Sequence, residues 1–270
     1  MYFCLLKLIK NMTEKDEIIL PTEPHEPEIN ATSMIIFGKE KCGKTTAFSQ
    51  LENCLIIDTE NGSKKVKVKA LVAPQDKGPV GKMQWLKKVA EKLSETPIYD
   101  YVVIDTLSEV NEWSEWSGTW RYMHSAQGKS FNRVGGEKGG EMLDPGSDDY
   151  QSVHNLGEGY GYRWSRDEML RIFDMFLGTA KKCVFFVCHV EDKFISLKEK
   201  ADEVPEKQLA LTGQLRRILP RKVDAIGYVY NKDDKLMVNF SAAEDKLGGT
   251  RAKHLVGYNG LLDWSKIFIN

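Results

Sequence analysis

The feature that most constrains this chain is an eight-residue motif with the spacing G-x-x-x-x-G-K-[ST], namely Gly38-Lys39-Glu40-Lys41-Cys42-Gly43-Lys44-Thr45. An apolar run, Ser33–Phe37, precedes it, and a predicted helix, Lys44–Leu51, follows it. Glycines allow a tight loop whose backbone N–H groups turn inward around phosphate oxygens. In such a loop the lysine reaches the terminal phosphates and the threonine hydroxyl reaches Mg²⁺. The motif and its flanks therefore predict a phosphate-binding loop rather than an ordinary glycine-rich turn.

Short apolar runs along the chain predict buried strands, because β-branched and aromatic residues fill them and polar turns bound them. They are Ser33–Phe37, Asn53–Asp58, Tyr99–Asp105 and Cys183–Cys188. A half-exposed strand is predicted over Lys65–Val72, and a hairpin over Ala225–Tyr230 and Lys235–Phe240.

Helices are predicted between these strands. Apolar side chains recur at helical spacing over Lys82–Ser94, and Ser165 with Glu168 three residues later has the pattern of a capping box at the start of another helix. Strands that alternate with helices predict an α/β fold, with a mainly parallel central sheet flanked by helices and a β-hairpin near the C-terminus.

Composition and charge exclude several classes of protein. With 270 residues, 41% of them hydrophobic, and a formal net charge of −1, the chain is too neutral to coat nucleic acid through bulk charge. Its five cysteines are odd in number and include no CxxC, which argues against a disulfide framework or a zinc ribbon. No apolar run reaches the ~20 residues that cross a bilayer, so we expect a cytoplasmic protein with no membrane partner. The sequence leaves open whether Met1 or Met12 is the start.

The predicted domain organisation has three parts. Residues 13–31 contain three prolines and many acidic residues, so residues 1–31 are expected to form a mobile arm, and 32–270 are expected to form a single domain. Inside it, residues 111–162 contain ten of the 22 glycines and three of the six tryptophans. Glycine at this density predicts an insertion with little regular structure. The charged stretch 191–207 is predicted to be a loop or an exposed hairpin.

Polar side chains follow the predicted strands at their carboxyl ends, which in a parallel sheet meet at one edge. Asp105 is expected to hold the Mg²⁺ shell. Glu60 either faces the terminal phosphate or belongs to a polar turn with Asp58. His189 is either a sensor of that phosphate or a structural histidine.

These motifs resemble the RecA-like branch of the P-loop ATPases, and more narrowly the small phage-encoded RecA-like ATPases linked to single-strand annealing and recombination. The resemblance runs from Met34 to Tyr230 and rests on GKEKCGKTT, IIDTENG, YVVIDT and VFFVCH. It implies that residues 38–46, which end at Thr46, bind ATP as a Walker A motif. It further implies that Glu60 activates water, that Asp105 with Thr45 holds Mg²⁺ as a Walker B acid, and that His189 is a sensor.

The resemblance also implies partners. Its members contact DNA through the loops that here correspond to 111–162 and 191–212, and they assemble into rings or filaments in which a neighbour supplies a basic finger. Arg251 and Lys253 occupy a place suited to that finger, and the other interpretation is a solvated basic turn. The first loop is acidic overall, so its aromatic residues either stack on bases or fold the insertion onto the domain. Lysines 64, 65, 67 and 69 form either a DNA or partner contact or a solvated strand face.

The leading hypothesis is therefore a Mg²⁺-dependent ATPase that acts on single-stranded DNA in recombination, annealing or replication, and that self-associates and works with other proteins of those processes. Two alternatives remain. One is a small-molecule kinase with Arg216, Arg217 and Arg221 as a lid. The other is a nucleotide-gated adaptor or helicase loader with little turnover.

Overall fold

A computed structural model describes residues 20–128, 152–196, 203–242 and 247–269. Within these residues ten strands form one sheet. The strands are β1 (Ser33–Gly38), β2 (Cys54–Asp58), β3 (Lys69–Val72), β4 (Tyr101–Asp105), β5 (Cys183–Ser196), β6 (Glu203–Leu209), β7 (Ala225–Lys232), β8 (Lys235–Asn239), β9 (Gly249–Thr250) and β10 (Asn259–Leu261).

The sheet has the strand order β10-β8-β7-β1-β5-β4-β2-β3, and its central six strands, from β7 to β3, are parallel. The antiparallel strands β8 and β10 continue it beyond β7, and β9 pairs with the start of β7. The C-terminal half of β5, from Val190 to Ser196, extends beyond the parallel sheet and pairs with β6 as an antiparallel hairpin. This arrangement places β5 between β1 and β4, so the ends of these three strands are neighbours.

Helices cover both faces of the sheet, because successive strand residues point to opposite sides. The helices are α1 (Lys44–Phe48), α2 (Pro79–Glu95), α3 (Leu107–Met123), α4 (Tyr162–Phe176), α5 (Leu215–Ile218) and α6 (Trp264–Ile267), with short 3-10 turns at Ser63–Lys65, Val153–Asn155, Gly157–Gly159, Leu219–Lys222 and Lys253–Leu255. Phe186 faces α2, α3 and α4 and stacks on Phe173 at 3.9 Å between ring centroids. Its neighbour Phe185 faces the other way, against Phe48 of α1 and Trp264 of α6.

The predicted fold class is confirmed: the molecule has a mainly parallel α/β sheet with helices on both faces. The buried strands and the C-terminal hairpin lie where the apolar runs predicted them. Residues 191–207 belong to the hairpin of β5 and β6 as far as the structure describes them. No helix among the described residues is both long and apolar enough to be a candidate membrane span.

The prediction of little regular structure across 111–162 is wrong for its first part. Residues up to Met123 continue α3, which begins at Leu107 behind the N-cap Thr106. Trp113 is buried on this helix. One of the glycines counted toward that prediction, Gly118, lies inside this helix and allows close packing, because a Cβ there would lie 2.6 Å from the backbone nitrogen of Ser165 in α4. Residues 129–151 of the predicted insertion lie outside the described part.

The predicted capping box at Ser165 and Glu168 is also wrong, since α4 begins earlier, at Tyr162. Glu168 is fully buried instead, and its carboxylate accepts hydrogen bonds from Lys87, Ser117 and Arg121. These partners belong to α2 and α3, so one buried carboxylate joins three helices.

Two boundaries differ at the edges of the fold. The strand predicted over Lys65–Val72 is confined to β3, because Ser63–Lys65 turns as a 3-10 helix. The predicted arm, 1–31, lies outside the described residues up to 19, and its last residues are anchored: Ala31 is buried and Asn30 bonds the backbone of Ile269.

Candidate active site

The phosphate-loop motif lies between the end of β1 and the start of α1. Gly38 ends β1 where a Cβ would come 2.3 Å from the carbonyl oxygen of Val229, so only glycine fits beside β7. Gly43 has a φ of +102°, in the left-handed region that favours glycine. The Lys44 ammonium is buried and donates to the carbonyls of Gly38 (3.0 Å) and Lys39 (2.7 Å). The loop therefore curls around the lysine head.

Thr45 and Asp105 meet across the sheet edge. The Thr45 hydroxyl donates to Oδ2 of Asp105 at 2.7 Å, so the first helix turn after the loop touches the end of β4. Burial raises the pKa of the Asp105 carboxyl, while the Thr45 hydrogen bond opposes that shift. A hydroxyl and a carboxylate side by side are oxygen ligands of the kind Mg²⁺ prefers, so these two residues fit the metal that the motif predicts.

Asp58 shapes the turn that follows β2. It is buried, and its carboxylate accepts hydrogen bonds from the backbone N–H groups of Glu60 (3.1 Å), Gly62 (3.1 Å) and Ser63 (2.8 Å). Three such bonds hold the turn closed around the carboxylate. Asp58 therefore anchors the polar turn that places Glu60 at the sheet edge, and the interpretation that Glu60 faces the terminal phosphate stays a prediction.

Glu60 Oε1 receives two hydrogen bonds. The hydroxyl of Thr106 donates at 2.6 Å and Nε2 of His189 lies at 2.9 Å. The bond from His189 is the main cause that lowers the pKa of Glu60, against an opposing contribution from burial. Because a carboxylate only accepts, Nε2 carries the hydrogen, and the other ring nitrogen, Nδ1, is buried without a partner among the described residues.

Thr106 was not singled out by the sequence analysis, although it stands in the YVVIDT run. It follows Asp105 directly, its backbone N–H donates to Thr59 Oγ1 at 2.6 Å, and its own hydroxyl holds Glu60. A threonine directly after a strand-terminal aspartate, in the strand predicted to lie beside IIDTENG, is the sequence signal that points to it. The peptide bond that joins Asp105 to Thr106 is cis.

Of the predicted site residues, those that line one cavity of ≈ 390 Å³ are Lys41, Gly43, Lys44, Thr45, Thr46, Glu60, Asp105 and His189, whereas Gly38, Lys39, Glu40 and Cys42 do not line it. Its walls are Lys41, Gly43, Lys44, Thr45, Thr46, Asp58, Glu60, Gly62, Val66, Asp105, Thr106 and His189. A second cavity of ≈ 560 Å³ adjoins the other side of the loop, where Gly43 and Thr46 meet Asn231 and Asp234. The first cavity is lined by the Lys44 ammonium and by carboxylates, as suits phosphates and a metal ion. The second lies beyond the loop, beside the β7–β8 turn.

The basic residues proposed for other roles lie elsewhere. Arg251 pairs with Asp224 at 3.2 Å, and Asp224 bonds Thr32 and Ser33, so Arg251 is at the amino end of β1, opposite the phosphate loop. Lys253 is exposed nearby. The suggested finger between subunits stays a prediction.

The three arginines considered as a lid line a separate cavity of ≈ 350 Å³ with Glu206 and Gln208 of β6. Arg216 contacts Gln208 and Glu191, both in the hairpin. None of the three lines the cavity around Glu60.

Comparison with known families and proteins places this site in context. The sequence matches the AAA_24 family model, described as an AAA domain, over residues 30–252. The chain belongs to this family. Membership of this family supports ATP binding and hydrolysis in general. The matched region ends one residue after Arg251 and includes every residue that lines the ≈ 390 Å³ cavity.

No curated protein matches the sequence. Among solved structures, the AAA domain is similar to a chain from work titled "Structural and biochemical analysis of a prototypical ATPase from the type III secretion system of pathogenic bacteria", with a TM-score of 0.38 and 11% sequence identity over 74% of this chain. The chain spans about half of that protein, 51% of its length.

Proposed function

We propose that the protein hydrolyses ATP by in-line attack of water on the γ-phosphate, with Glu60 orienting and activating the water. The observation that carries this proposal is the pair of hydrogen bonds on Glu60 Oε1, from Thr106 and His189, in the same cavity as Lys44 and Thr45. One carboxylate oxygen is fixed by these donors, and the other is left to accept from water. General-base catalysis requires a carboxylate that is held in position with one oxygen free to accept a proton from water.

The charges of the site support this assignment. The Glu60 carboxylate, whose pKa is lowered chiefly by the His189 hydrogen bond, is ionised at neutral pH, as a group that accepts a proton from water must be. Lys44 supplies positive charge for the phosphates, and Thr45 with Asp105 would hold Mg²⁺. Bound there, Mg²⁺ would offset the negative charge that develops on the transferred phosphoryl group. The Lys44 ammonium donates to the carbonyls of Gly38 and Lys39, and it would exchange these bonds for phosphate oxygens when ATP binds.

We further propose that the protein acts on single-stranded DNA in the cytoplasm, using ATP hydrolysis in recombination, annealing or replication, as the resemblance to phage-encoded RecA-like ATPases suggests. The physical support is that His189, which bonds Glu60 in the candidate ATP site, is followed directly in the chain by the hairpin of β5 and β6, whose backbone pairing starts at Val190. Arg217 and Arg221 are exposed beside the hairpin and have no ion pair with any described residue. Free guanidinium groups at this place suit backbone phosphates.

The test measures phosphate release with and without single-stranded DNA. Lys44→Ala should abolish nucleotide binding or turnover. Glu60→Gln should keep nucleotide binding and lower turnover by about 100-fold or more. Glu60→Asp is the matched control, since it keeps the charge but withdraws it from Thr106 and His189. Normal turnover in Glu60→Gln would remove the base assignment.

The DNA part of the proposal stands on a separate result. Stimulation of turnover by single-stranded DNA, weakened in Arg217→Ala with Arg221→Ala, would support it. Turnover that single-stranded DNA leaves unchanged, but that a partner protein changes, would favour the nucleotide-gated adaptor. Phosphate release without any added acceptor would count against the kinase.

A further inference from the structure

The second cavity beside the phosphate loop has no part in the chemistry proposed above. Its volume is ≈ 560 Å³, and it shares Gly43 and Thr46 with the cavity of ≈ 390 Å³ that holds the proposed catalytic groups. Neither Glu60 nor His189 lines it. A nucleoside triphosphate carries its base at the end opposite the γ-phosphate. The base of a nucleotide held by this loop therefore needs a cavity that adjoins the loop but lies away from those two residues.

Leucine side chains from the C-terminal part of the sheet form the apolar wall of this cavity. Leu236 of β8 abuts the loop, since a Cβ on Gly43 would lie 4.0 Å from its Cδ2 atom. Leu261 of β10 and Leu262 continue the wall, and the backbone N–H of Leu262 donates to the carbonyl of Leu236 at 2.8 Å. Leu261 is 41% exposed. This wall suits the flat face of a nucleobase, which would remove the exposed leucine from water.

Three polar side chains also line the cavity: Gln50, Asn231 and Asp234. No described residue makes a hydrogen bond or an ion pair with any of these side chains. Asp234 and its neighbour Asp233 form the turn between β7 and β8, with positive φ values of 57° and 49°. Aspartate and asparagine tolerate this conformation better than most residues. The turn therefore places an unpaired carboxylate beside an apolar wall.

The carboxylate of Asp234 can distinguish one purine from another, because a carboxylate only accepts hydrogen bonds. The edge of adenine has one donor, its 6-amino group, whereas its ring nitrogens accept. The amides of Gln50 and Asn231 carry donors that suit those nitrogens. A 6-oxo purine such as guanine has an oxygen, itself an acceptor, in place of the amino group. Opposite that oxygen the carboxylate would stay unpaired, which costs affinity.

We propose that this cavity holds the base of the bound nucleotide, and that Asp234 selects adenine by accepting a hydrogen bond from its 6-amino group. Leu236 and Leu261 cover the ring of the base. The inference rests on the proposed function, because it places the remainder of the ATP whose phosphates the loop binds. It also assigns a role to the antiparallel strands β8 and β10, which supply the wall of the cavity.

Competition between ATP and ITP tests the choice of base, because ITP has an oxygen where ATP has the 6-amino group. The unmodified protein should bind ATP at least about 10-fold more tightly than ITP. Asp234→Asn should reduce that ratio to about 3-fold or less, since an amide both donates and accepts. Asp233→Asn is the matched control: it makes the same charge change in the same turn, but Asp233 does not line the cavity, and the ratio should stay unchanged.

Three results of the competition would overturn the proposal. One is an ATP to ITP ratio that Asp234→Asn leaves unchanged. The second is equal binding of the two nucleotides by the unmodified protein. The third is tighter binding of ITP, because the carboxylate would then face the protonated ring nitrogen of a 6-oxo purine.

Titration calorimetry with inorganic tripolyphosphate separates the base from the phosphates. Leu261→Ala should weaken ATP binding by about 10-fold and leave tripolyphosphate binding unchanged, because tripolyphosphate has no base to cover the leucine. Val256→Ala is the matched control, since Val256 is 68% exposed and does not line the cavity, and it should change neither affinity. If Leu261→Ala weakens the binding of both ligands, or of neither, the proposed wall is wrong.

The same measurements distinguish failure of this inference from failure of the proposed function. If Lys44→Ala abolishes binding of ATP and tripolyphosphate, while Asp234→Asn and Leu261→Ala bind ATP as the unmodified protein does, the base lies elsewhere and only this inference fails. If the unmodified protein binds neither ligand, the proposed function fails and the base assignment fails with it.

Discussion

A single hydroxyl group, that of Thr106, helps to hold the Glu60 carboxylate, which we propose activates water. It donates to Glu60 at 2.6 Å and caps the start of α3 by accepting from Glu109 N. Thr106→Val should therefore lower kcat by ~10- to 100-fold with little change in KM for ATP, and cost up to about 1 kcal/mol of stability from the lost cap. Steady-state kinetics and urea denaturation check both.

Thr106→Ser is the matched control, since it keeps the hydroxyl and should restore turnover. A value of kcat for Thr106→Val equal to that of the unmodified protein would show that Glu60 does not depend on this bond.

His189, again at the scale of single residues, lowers the pKa of Glu60. Its hydrogen bond is the main cause that lowers the Glu60 pKa, so the Glu60 carboxylate stays ionised to a lower pH than that of an ordinary glutamate. His189→Ala removes that cause, the pKa rises, and the acid limb of the pH–rate profile for hydrolysis should move to higher pH. His189→Gln can still donate and should move it less. If the acid limb stays at the same pH in His189→Ala, the His189 hydrogen bond does not set the pKa of the group that limits hydrolysis.

At the scale of elements, the contact between α3 and α4 depends on Gly118. Two effects of Gly118→Ala oppose each other: alanine gains about 1 kcal/mol of helix propensity, whereas a Cβ 2.6 Å from the Ser165 nitrogen forces the helices apart at a cost of ~1–3 kcal/mol or more. Because the contact is with backbone, which cannot rotate away, we expect the cost to win and the free energy of unfolding to fall.

Urea denaturation compares this variant with Gly81→Ala in α2, where the atoms nearest to the added Cβ belong to the side chain of Lys77, at 3.2 Å and beyond. That control should be neutral or slightly stabilising. A Gly118→Ala protein as stable as the Gly81→Ala protein would mean that the two helices do not pack this closely.

At the scale of the whole molecule, the formal net charge of −1 limits how DNA can be bound. One copy has only a local basic patch, so its affinity should be weak and its salt slope modest. Tight binding then requires many copies, each adding a small patch, assembled when nucleotide is bound. Fluorescence anisotropy of a labelled single strand should show tight binding only with a non-hydrolysable ATP analogue.

The Lys44→Ala protein, which should not respond to nucleotide, is the control for this experiment. Strong binding by the nucleotide-free monomer would contradict an assembly-dependent affinity.

The sequence by itself determined the phosphate loop, the parallel α/β sheet, and the set of Lys44, Thr45, Glu60, Asp105 and His189. The reason is local: loop geometry depends on neighbouring residues, and the carboxyl ends of parallel strands meet at one edge whatever their order. Side chains placed just after buried strands were therefore predictable as neighbours.

Only the tertiary structure decided which of these side chains touch. Glu60 is 46 residues from Thr106 and 129 from His189 in the chain, and their bonds follow from β4 lying between β2 and β5. The same holds for Gly118 and Glu168, whose local patterns predicted an insertion with little regular structure and a helix cap. Packing of α3 against α4 overrode both, because a close backbone contact and a buried carboxylate have no signature in local spacing.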